Sequence, residues 1–385
     1  MKKPVKRRKT SGMKKLRTAL LLADIPEKNA DLQYVCGFSA PDPVVVLLGP
    51  RRKVLLVNAM EAGRARLAVR GMSVLTPEEL SLSDEEKRSQ AGWIGGLLRH
   101  EHLSRVRVGG SFPVGLARKL EGLGIGVEVA ELPLFPEREI KTPRERAMLR
   151  ASQRAAAAAM AQAVAMIRAS DPDRRGVLRL EGRALTSERV RAEAQKFLLE
   201  RGFFAPGLIV AGGAQGADPH QIGTGPLHAN ASIVLDIFPH DMATGYWGDL
   251  TRTVVKGKAS PALAAMERAV RAAQAAVLRV IKAGVNAAEL HQLAVRTFEA
   301  RGYKTGMTRR GAEGFIHGTG HGVGLEIHER PSLGRQESIL KPGHVVTVEP
   351  GLYYRAIGAV RIEDTVVVTR TGYERLAASP RVFEV

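Results

Sequence analysis

The segment that decides the fold is "SIVLDIFPHDMATGYWGDLTRTVV", residues 232–255. An apolar run ends at Asp236, a connection with glycine and aromatic residues follows, and Asp249 precedes a second apolar run. Short apolar runs rich in β-branched residues predict strands. Each carboxylate therefore lies in apolar surroundings, where an unpaired charge is costly.

A second segment, residues 345–368, repeats this pattern as "VVTVEPGLYYRAIGAVRIEDTVVV". Its first apolar run ends at Glu349, and Glu363 precedes a run of valines. The two carboxylates are 14 positions apart here and 13 apart in the first segment, and a threonine stands two residues after the second carboxylate in both. We therefore predict a domain built from two similar halves.

Four carboxylates in strand-like, mostly apolar surroundings indicate bound cations, because Asp and Glu are rarely buried without a partner. Two divalent ions would neutralise the four charges, whereas one ion would leave surplus negative charge. Mainly oxygen ligands favour Mn²⁺ or Co²⁺, with Zn²⁺ or Fe²⁺ as alternatives. The competing interpretation is that arginines such as Arg252 and Arg361 pair with these carboxylates, although buried ion pairs seldom stabilise enough to justify four of them.

The segment "HGTGHGVGLEIHE", residues 317–329, contains three histidines. Its glycines argue against the helix that H-E-x-x-H zinc sites require. In an extended chain His317 and His321 lie on one face, and a bend or bulge is needed to bring His328 beside them. One histidine would complete a metal shell, and the others could donate hydrogen bonds to a developing oxyanion.

The length of 385 residues favours two domains of unequal size. Short apolar runs that alternate with helical stretches predict an N-terminal α/β domain over residues 16–135. Three prolines between positions 133 and 143 surround a charged patch and mark the boundary. The second domain, residues 136–385, contains long helices predicted over 143–168 and 187–200, and two more that begin at Ser260 and Asn286.

The net charge is +19, and eight of the lysines and arginines lie in residues 1–15. A solvated, disordered tail is the favoured interpretation, and contact with nucleic acid or an anionic surface is the less favoured one. Aromatic residues are only 5% of the chain, so base stacking is not indicated. The single cysteine, Cys36, fits a reducing cytoplasm. No apolar run is long enough for a membrane span, and no signal-type segment is present, so we expect a cytoplasmic protein without membrane contact.

Five motifs together carry a family resemblance: "LDIFP", "GDLTRTVV", "HGTGHGVGLEIHE", "TVEPGLYY" and "VRIEDTVVV". The C-terminal 245 or so residues resemble the pita-bread metallopeptidases of family M24. The additional N-terminal domain is similar to that of aminopeptidase P and prolidase rather than to the shorter methionine aminopeptidases. The resemblance implies an α/β (α+β) fold, with a C-terminal pita-bread domain and a smaller N-terminal creatinase-like α/β domain.

The resemblance also implies a dinuclear metal site. The implied ligands are Asp236, Asp249, His321, Glu349 and Glu363, with Asp249 and Glu363 contacting both ions. It implies His317 and His328 as substrate or oxyanion partners and places Arg361 near the site. A further active-site histidine of the family fits His220, which follows a proline, better than His228.

The resemblance implies a peptidase that acts on peptides and forms a homodimer. We expect an Xaa-Pro aminopeptidase, in which a metal-bridging hydroxide attacks the first peptide bond and Glu349 relays its proton. Alternatives are an Xaa-Pro dipeptidase (prolidase), a hydrolase of a small non-peptide C–N bond, and a basic pita-bread module that binds nucleic acid or protein. The Asp236–Asp249 connection is slightly longer than in many members. Ser332 stands where peptidase members often carry an arginine, which disfavours strict prolidase activity unless Arg330 or Arg335 substitutes.

Overall fold

The computed structural model describes residues 18–309 and 311–385. The predicted basic tail, residues 1–15, lies outside the described residues. The chain divides into two compact units, of which the first ends at Phe135 and the second is Pro136–Val385. Among the described residues, no helix combines the length and apolar character needed to cross a membrane.

The first unit is a six-stranded sheet with helices, in the strand order β4-β3-β2-β1-β5-β6. Its strands are β1 (Ala19–Asp24), β2 (Val44–Leu48), β3 (Lys53–Leu56), β4 (Ser73–Leu75), β5 (Arg105–Val108) and β6 (Gly126–Val129). Its helices are α1 (Ala30–Cys36), α2 (Ala59–Ala68), α3 (Asp84–Lys87), α4 (Gln90–His100) and α5 (Val114–Gly122). Leu21 and Leu22 of β1 belong to different apolar clusters, as expected for a strand whose side chains alternate between two covered faces.

Four helices form the scaffold of the second unit: α6 (Pro143–Arg168), α7 (Ser187–Leu199), α8 (Pro261–Val280) and α9 (Ala287–Glu299). Local capping explains where they begin. The Ser260 side chain accepts a hydrogen bond from the first turn of α8, and Asn286 does the same for α9. Thr142 and Glu145 form a capping box at the start of α6. The predicted starts of all four helices are thus confirmed to within a residue, as are the predicted ends of α6 and α7.

Seventeen strands of the second unit lie within the described residues, most of them short. They are β7 (Asp171–Pro172), β8 (Leu178–Leu180), β9 (Arg183–Ala184), β10 (Phe203–Phe204), β11 (Ile209–Gly212), β12 (Ser232–Ile237), β13 (His240–Asp241), β14 (Leu250–Val255), β15 (Gly306–Thr308), β16 (Gly311–Glu313), β17 (Gly320–Gly322), β18 (Glu329–Leu333), β19 (Val345–Val348), β20 (Gly351–Tyr354), β21 (Gly358–Arg361), β22 (Asp364–Val368) and β23 (Tyr373–Arg375). The two larger antiparallel sheets have the orders β11-β12-β14 and β18-β17-β19-β22-β23.

The second unit has the two similar halves that the repeated segments predict. In the first half β12 pairs with β14, and the apolar core beneath them includes residues of α6 and α7. In the second half β19 pairs with β22, and the corresponding core includes residues of α8 and α9. Helices pack on antiparallel sheets in both halves, so the predicted α/β (α+β) class is confirmed.

Candidate active site

The four carboxylates lie where the paired strands of each half end. Asp236 is in β12 opposite Thr251 of β14, and Asp249 immediately precedes β14. Glu349 follows β19, and Glu363 immediately precedes β22. Because both strand pairs are antiparallel, the end of one strand meets the start of its partner, which brings each pair of carboxylates together.

The three histidines lie on and around one short strand. His321 is in β17, His317 precedes it on irregular chain, and His328 ends the bend that leads into β18. The β17–β18 pairing shifts register between Gly320 and Gly322. The predicted bend before His328 is therefore present, whereas the extended interpretation holds only for Gly320–Gly322.

Glycine is required in this strand because neighbouring backbone lies so close. A Cβ atom on Gly320 would lie 2.0 Å from the carbonyl oxygen of Thr347, and one on Gly322 would lie 2.4 Å from that of Arg330. No side chain fits at such distances without moving the backbone. These contacts place His321 against the end of β19, which leads to Glu349.

All nine predicted site residues line one cavity of about 590 Å³. Its walls comprise Ile209, Pro219, His220, Asp236, Phe238, Asp249, Ile316, His317, Gly318, Gly320, His321, Ile327, His328, Ser332, Glu349, Arg361 and Glu363. The lining combines carboxylates and imidazoles with an apolar wall, as small-ligand sites usually do. The structure thus brings together residues that are up to 143 positions apart in the chain.

Three residues from separate segments can present ligand atoms to one ion. Oxygens of Asp249 and Glu363 and a ring nitrogen of His321 all lie within 4.8 Å of one another. His321 Nε2 is 3.1 Å from a Glu349 carboxylate oxygen, and Nδ1 lies 3.1 Å from the Gly322 carbonyl. A carbonyl and an ionised carboxylate only accept, so Nδ1 donates to Gly322 and Nε2 donates to Glu349. Burial would lower the pKa of His321, but the hydrogen bond and charge of Glu349 raise it. A metal ion would take the place of the Nε2 proton.

Arginines compensate only one of the four carboxylates. Arg361 pairs with Asp236 at 2.6 Å between Nη2 and Oδ2. Arg252 instead pairs with Asp364 at 2.9 Å. Among the described residues, no Lys or Arg nitrogen lies within 4.0 Å of the carboxylate oxygens of Asp249, Glu349 or Glu363. The competing interpretation, in which basic residues neutralise all four, therefore accounts for Asp236 alone.

The uncompensated charge is visible in the protonation behaviour of the site. Burial raises the pKa of both Asp249 and Glu363 well above the usual range, and repulsion from the neighbouring carboxylates adds to it. Burial would also raise the pKa of Glu349, but the hydrogen bond and charge of His321 lower it to about 2. Glu363 Oε1 is buried without a hydrogen-bond partner among the described residues. A buried oxygen without a donor beside other carboxylates fits divalent metal binding.

The hydroxyl of Thr251 joins the two halves of the site. Its Oγ1 lies 2.9 Å from an oxygen of Asp236 and 2.9 Å from an oxygen of Glu363. It also accepts a hydrogen bond from Nε of Arg361 at 3.1 Å. A hydroxyl has one proton and serves one carboxylate at a time, so the other oxygen is available to a cation.

Tyr353 fixes the state of His317. Arg361 Nη1 donates to the Tyr353 hydroxyl at 2.9 Å, so this hydroxyl in turn donates to His317 Nε2 at 2.8 Å. His317 Nδ1 donates to the Gly318 carbonyl at 2.7 Å. Burial raises the pKa of Tyr353 to about 12 and lowers that of His317. His317 is therefore a neutral ring whose two nitrogens both have protein partners.

His328 and His220 face the cavity more openly. The His328 ring lies 4.2 Å from that of His321, centre to centre, at an angle of 84°. Burial, with the charge of His321, lowers the pKa of His328. Both His220 and His328 are exposed, and His228 does not line the cavity. Of the two candidate histidines, His220 therefore lies on the cavity wall, and its role stays a prediction.

The wall near His328 lacks a free basic group. Ser332 lines the cavity, whereas Arg330 and Arg335 do not. Arg361 is the only Lys or Arg among the described lining residues, and it is committed to Asp236 and Tyr353. The arrangement offers hydroxyl and imidazole groups, but no free guanidinium, to the far end of a bound molecule.

The sequence profile of metallopeptidase family M24 matches residues 147–370, which is more than half of the chain and includes all nine site residues. The chain belongs to metallopeptidase family M24. This family membership confirms the resemblance found in the sequence.

Relatives of this chain include uncharacterised peptidase YqhT of Bacillus subtilis, which is 39% identical over 176 residues, covering 45% of this chain and 47% of the relative. The Xaa-Pro dipeptidase of Pyrococcus furiosus is 36% identical over 175 residues, covering 45% and 47%. The matched segment thus spans about half the length of these relatives.

Two solved structures show the same fold over nearly the whole chain. X-Pro aminopeptidase from Thermotoga maritima has a TM-score of 0.78 at 23% identity, covering 96% of this chain and 97% of that one. The prolidase from Pyrococcus horikoshii has a TM-score of 0.78 at 24% identity, covering 94% of both chains. The likeness confirms the predicted pita-bread domain preceded by a smaller domain.

Sequence reasoning on this M24 chain missed two residues of the site. Thr251 was noted only as part of the internal repeat, although its place two residues after Asp249 was the signal. Tyr353 was not singled out in the sequence. No sequence signal identified its contact with His317, because the two residues are 36 positions apart and meet only in the folded chain.

Proposed function

We propose that this protein is a metal-dependent exopeptidase that hydrolyses the N-terminal Xaa-Pro bond of peptides. One observation carries the proposal: four buried or half-buried carboxylates and a histidine surround one cavity, and an arginine compensates just one of them. Such a site is costly in a folded protein unless cations complete it. Membership of a metallopeptidase family supports the same conclusion.

The proposed metal ligands are Asp236, Asp249, His321, Glu349 and Glu363. Mn²⁺ or Co²⁺ suits this set, because four of the five ligands are carboxylates. Two divalent ions held there would supply a water activated for attack near neutral pH and would polarise the scissile carbonyl. The metal identity, the homodimer and the cytoplasmic location stay predictions.

The other side chains bind and orient the peptide in this proposal. His328 has no hydrogen bond to its ring among the described residues and is free to bind the substrate carbonyl as it becomes an oxyanion. His220, at the exposed rim, is placed to contact the leaving nitrogen. Glu349, beside His321 on the cavity wall, is the carboxylate that would accept a proton from the attacking water and pass it on.

His317 has a narrower role in this account than the sequence indicates. Both of its nitrogens are engaged, so donating to an oxyanion would require breaking the hydrogen bond to Gly318 or to Tyr353. Its ring instead forms part of the cavity wall and holds Tyr353 against Arg361.

The cavity favours peptides longer than two residues. A dipeptide has its C-terminal carboxylate one residue beyond the scissile bond. A site specific for dipeptides would place a positively charged side chain, such as arginine, beside that carboxylate. The only arginine in the described lining is already paired, and Ser332 offers a hydroxyl. Names of relatives favour the alternative, because several are Xaa-Pro dipeptidases, so prolidase activity is the second candidate.

A substrate series tests the proposal directly. The protein is depleted of metal, reconstituted with Mn²⁺ or Co²⁺, and offered Xaa-Pro dipeptides, longer Xaa-Pro peptides and Met-initiated peptides without proline, with products identified by mass. We expect cleavage of the longer Xaa-Pro peptides and none by Asp249→Asn. Cleavage of dipeptides alone would establish the second candidate, and equal activity of wild type and Asp249→Asn would refute the metal site.

A further inference from the structure

Two buried glutamines outside the cavity bond to the backbone that carries the metal ligands. Gln153, on α6, is 1% exposed. Its amide nitrogen donates to the Asp249 carbonyl at 2.7 Å, and its amide oxygen accepts from the Asp249 N–H at 2.8 Å. Both backbone groups of one proposed ligand thus end on a single side chain.

Gly248, which precedes Asp249, lies so close to α6 that no side chain fits at this position. A Cβ atom on Gly248 would lie 2.5 Å from the carbonyl oxygen of Ser152. The Thr365 hydroxyl also donates to the Asp249 carbonyl, at 2.8 Å. The backbone of Asp249 is therefore held from the helix on one side and from β22 on the other.

The second half contains a corresponding glutamine. Gln274, on α8, is 0% exposed, and its amide nitrogen donates to the carbonyls of Val348 at 3.0 Å and Ile362 at 3.1 Å. These residues immediately precede Glu349 and Glu363. One amide group therefore sets the spacing between two segments that each continue into a proposed ligand.

The chemistry of the side chain indicates why glutamine stands at these positions. A buried amide is costly unless it is hydrogen-bonded, and an apolar residue of similar volume would fill the same space but leave the backbone groups without these partners. What glutamine adds is direction: one planar group joins two backbone groups at fixed separation. Both amides form their hydrogen bonds to segments that carry proposed ligands, although Gln274 Oε1 is left without a partner among the described residues.

We propose that Gln153 and Gln274 are positioning residues for the metal site, one contributed by the long helix of each half. Gln153 holds Asp249, and Gln274 fixes the distance between Glu349 and Glu363. Neither contacts the cavity, so each acts through the backbone of the ligands. The inference rests on the proposed metal site and names two side chains, outside the cavity, that set the positions of its ligands.

Metal binding tests this proposal without reference to activity. Gln153→Met and Gln274→Met keep the side-chain volume and remove the hydrogen bonds. Gln195→Met is the control, because Gln195 of α7 also donates from a helix to a backbone carbonyl, that of Ala205 at 3.1 Å, and neither residue lines the cavity. Co²⁺ affinity is measured by titration calorimetry, ligand geometry by the visible absorption of bound Co²⁺, and folding by the thermal midpoint of the metal-free proteins.

We expect each site variant to bind Co²⁺ about 10- to 100-fold more weakly with an altered visible spectrum, the range typical when groups that orient metal ligands are removed. The control should match wild type in both measurements. Wild-type affinity and spectrum in the two site variants would overturn the positioning role alone. A wild-type protein that binds no Co²⁺ would overturn it together with the proposed function. The two variants act on opposite halves, so either one tests the proposal if the other fails to fold.

Discussion

Neutralising two adjacent buried carboxylates should change the stability of the metal-free protein in opposite directions. Glu363 and Asp364 are 1% and 3% exposed, respectively. Burial, with repulsion from other carboxylates, raises the pKa of Glu363. Burial would also raise the pKa of Asp364, but Arg252 and Arg381 outweigh it and lower that pKa. Removing the first charge relieves repulsion, and removing the second leaves the buried guanidinium of Arg252 and the half-buried one of Arg381 without their charged partner.

The size of each effect follows from the geometry. Oxygens of Glu363 and Asp249 can approach within 4.8 Å, and two unit charges at that distance repel by about 3 kcal/mol at an effective dielectric constant of about 20. Glu363→Gln should therefore stabilise the metal-free protein by up to about 3 kcal/mol, since partial protonation already relieves some of the repulsion. That corresponds to a rise in thermal midpoint of roughly 6–12 °C. Asp364→Asn should destabilise it by about 3–5 kcal/mol, the usual cost of breaking a buried pair.

Thermal unfolding in chelator and in excess Mn²⁺ measures both effects. Wild type should gain about 4 kcal/mol at a thousandfold excess of metal over its Kd, whereas Glu363→Gln should gain little, so metal reverses their order of stability. Asp364→Asn should stay below wild type in both conditions. A Glu363→Gln protein that is less stable than wild type in chelator, and that metal stabilises as much as wild type, would refute this reasoning.

Three further outcomes follow from single side chains. Burial, with nearby lysines, lowers the pKa of His344 to about 4. The neutral ring therefore contributes fully to stability above about pH 6.5, and this contribution is lost as the pH falls toward 4. Urea unfolding should show that wild type loses roughly 3 kcal/mol relative to His344→Asn between these pH values. Lys141→Met should lower the free energy of unfolding by about 1.5–3 kcal/mol, because it removes a buried charged hydrogen bond to Glu329, which keeps Arg138 as its other partner. Denaturant titration showing no loss would contradict this. Ser332→Arg should raise kcat/KM for Xaa-Pro dipeptides relative to tripeptides by about tenfold, since a cation would then face the dipeptide carboxylate. An unchanged ratio would count against the proposal that the missing cation disfavours dipeptide substrates.

The parts of the fold predicted from sequence are those that depend on local chemistry. Ser260 and Asn286 marked helix starts because a capping side chain acts within one turn. The repeated carboxylate pattern predicted two halves because each half contains the same arrangement, an antiparallel strand pair that packs against helices. The β20–β21 hairpin between Glu349 and Glu363 was described only as a connection, since strand pairing there depends on neighbours that are remote in the chain.

The same distinction holds for the site. The carboxylates were found because a charge in an apolar run is unusual by itself, and the histidines because three lie close together in sequence. Tyr353 and Gln153 were missed because their residue types are ordinary at their positions, and their role comes from partners 36 and 96 positions away. His317 was assigned as a substrate or oxyanion partner, whereas the structure engages both of its ring nitrogens with protein groups.

The most direct test of the central claim is anomalous diffraction from crystals of the wild-type protein soaked with Mn²⁺. The account predicts two anomalous peaks in the cavity, each within about 2.0–2.3 Å of ligand atoms drawn from Asp236, Asp249, His321, Glu349 and Glu363. No peak in this cavity at saturating Mn²⁺, or peaks bound by other residues, would contradict it.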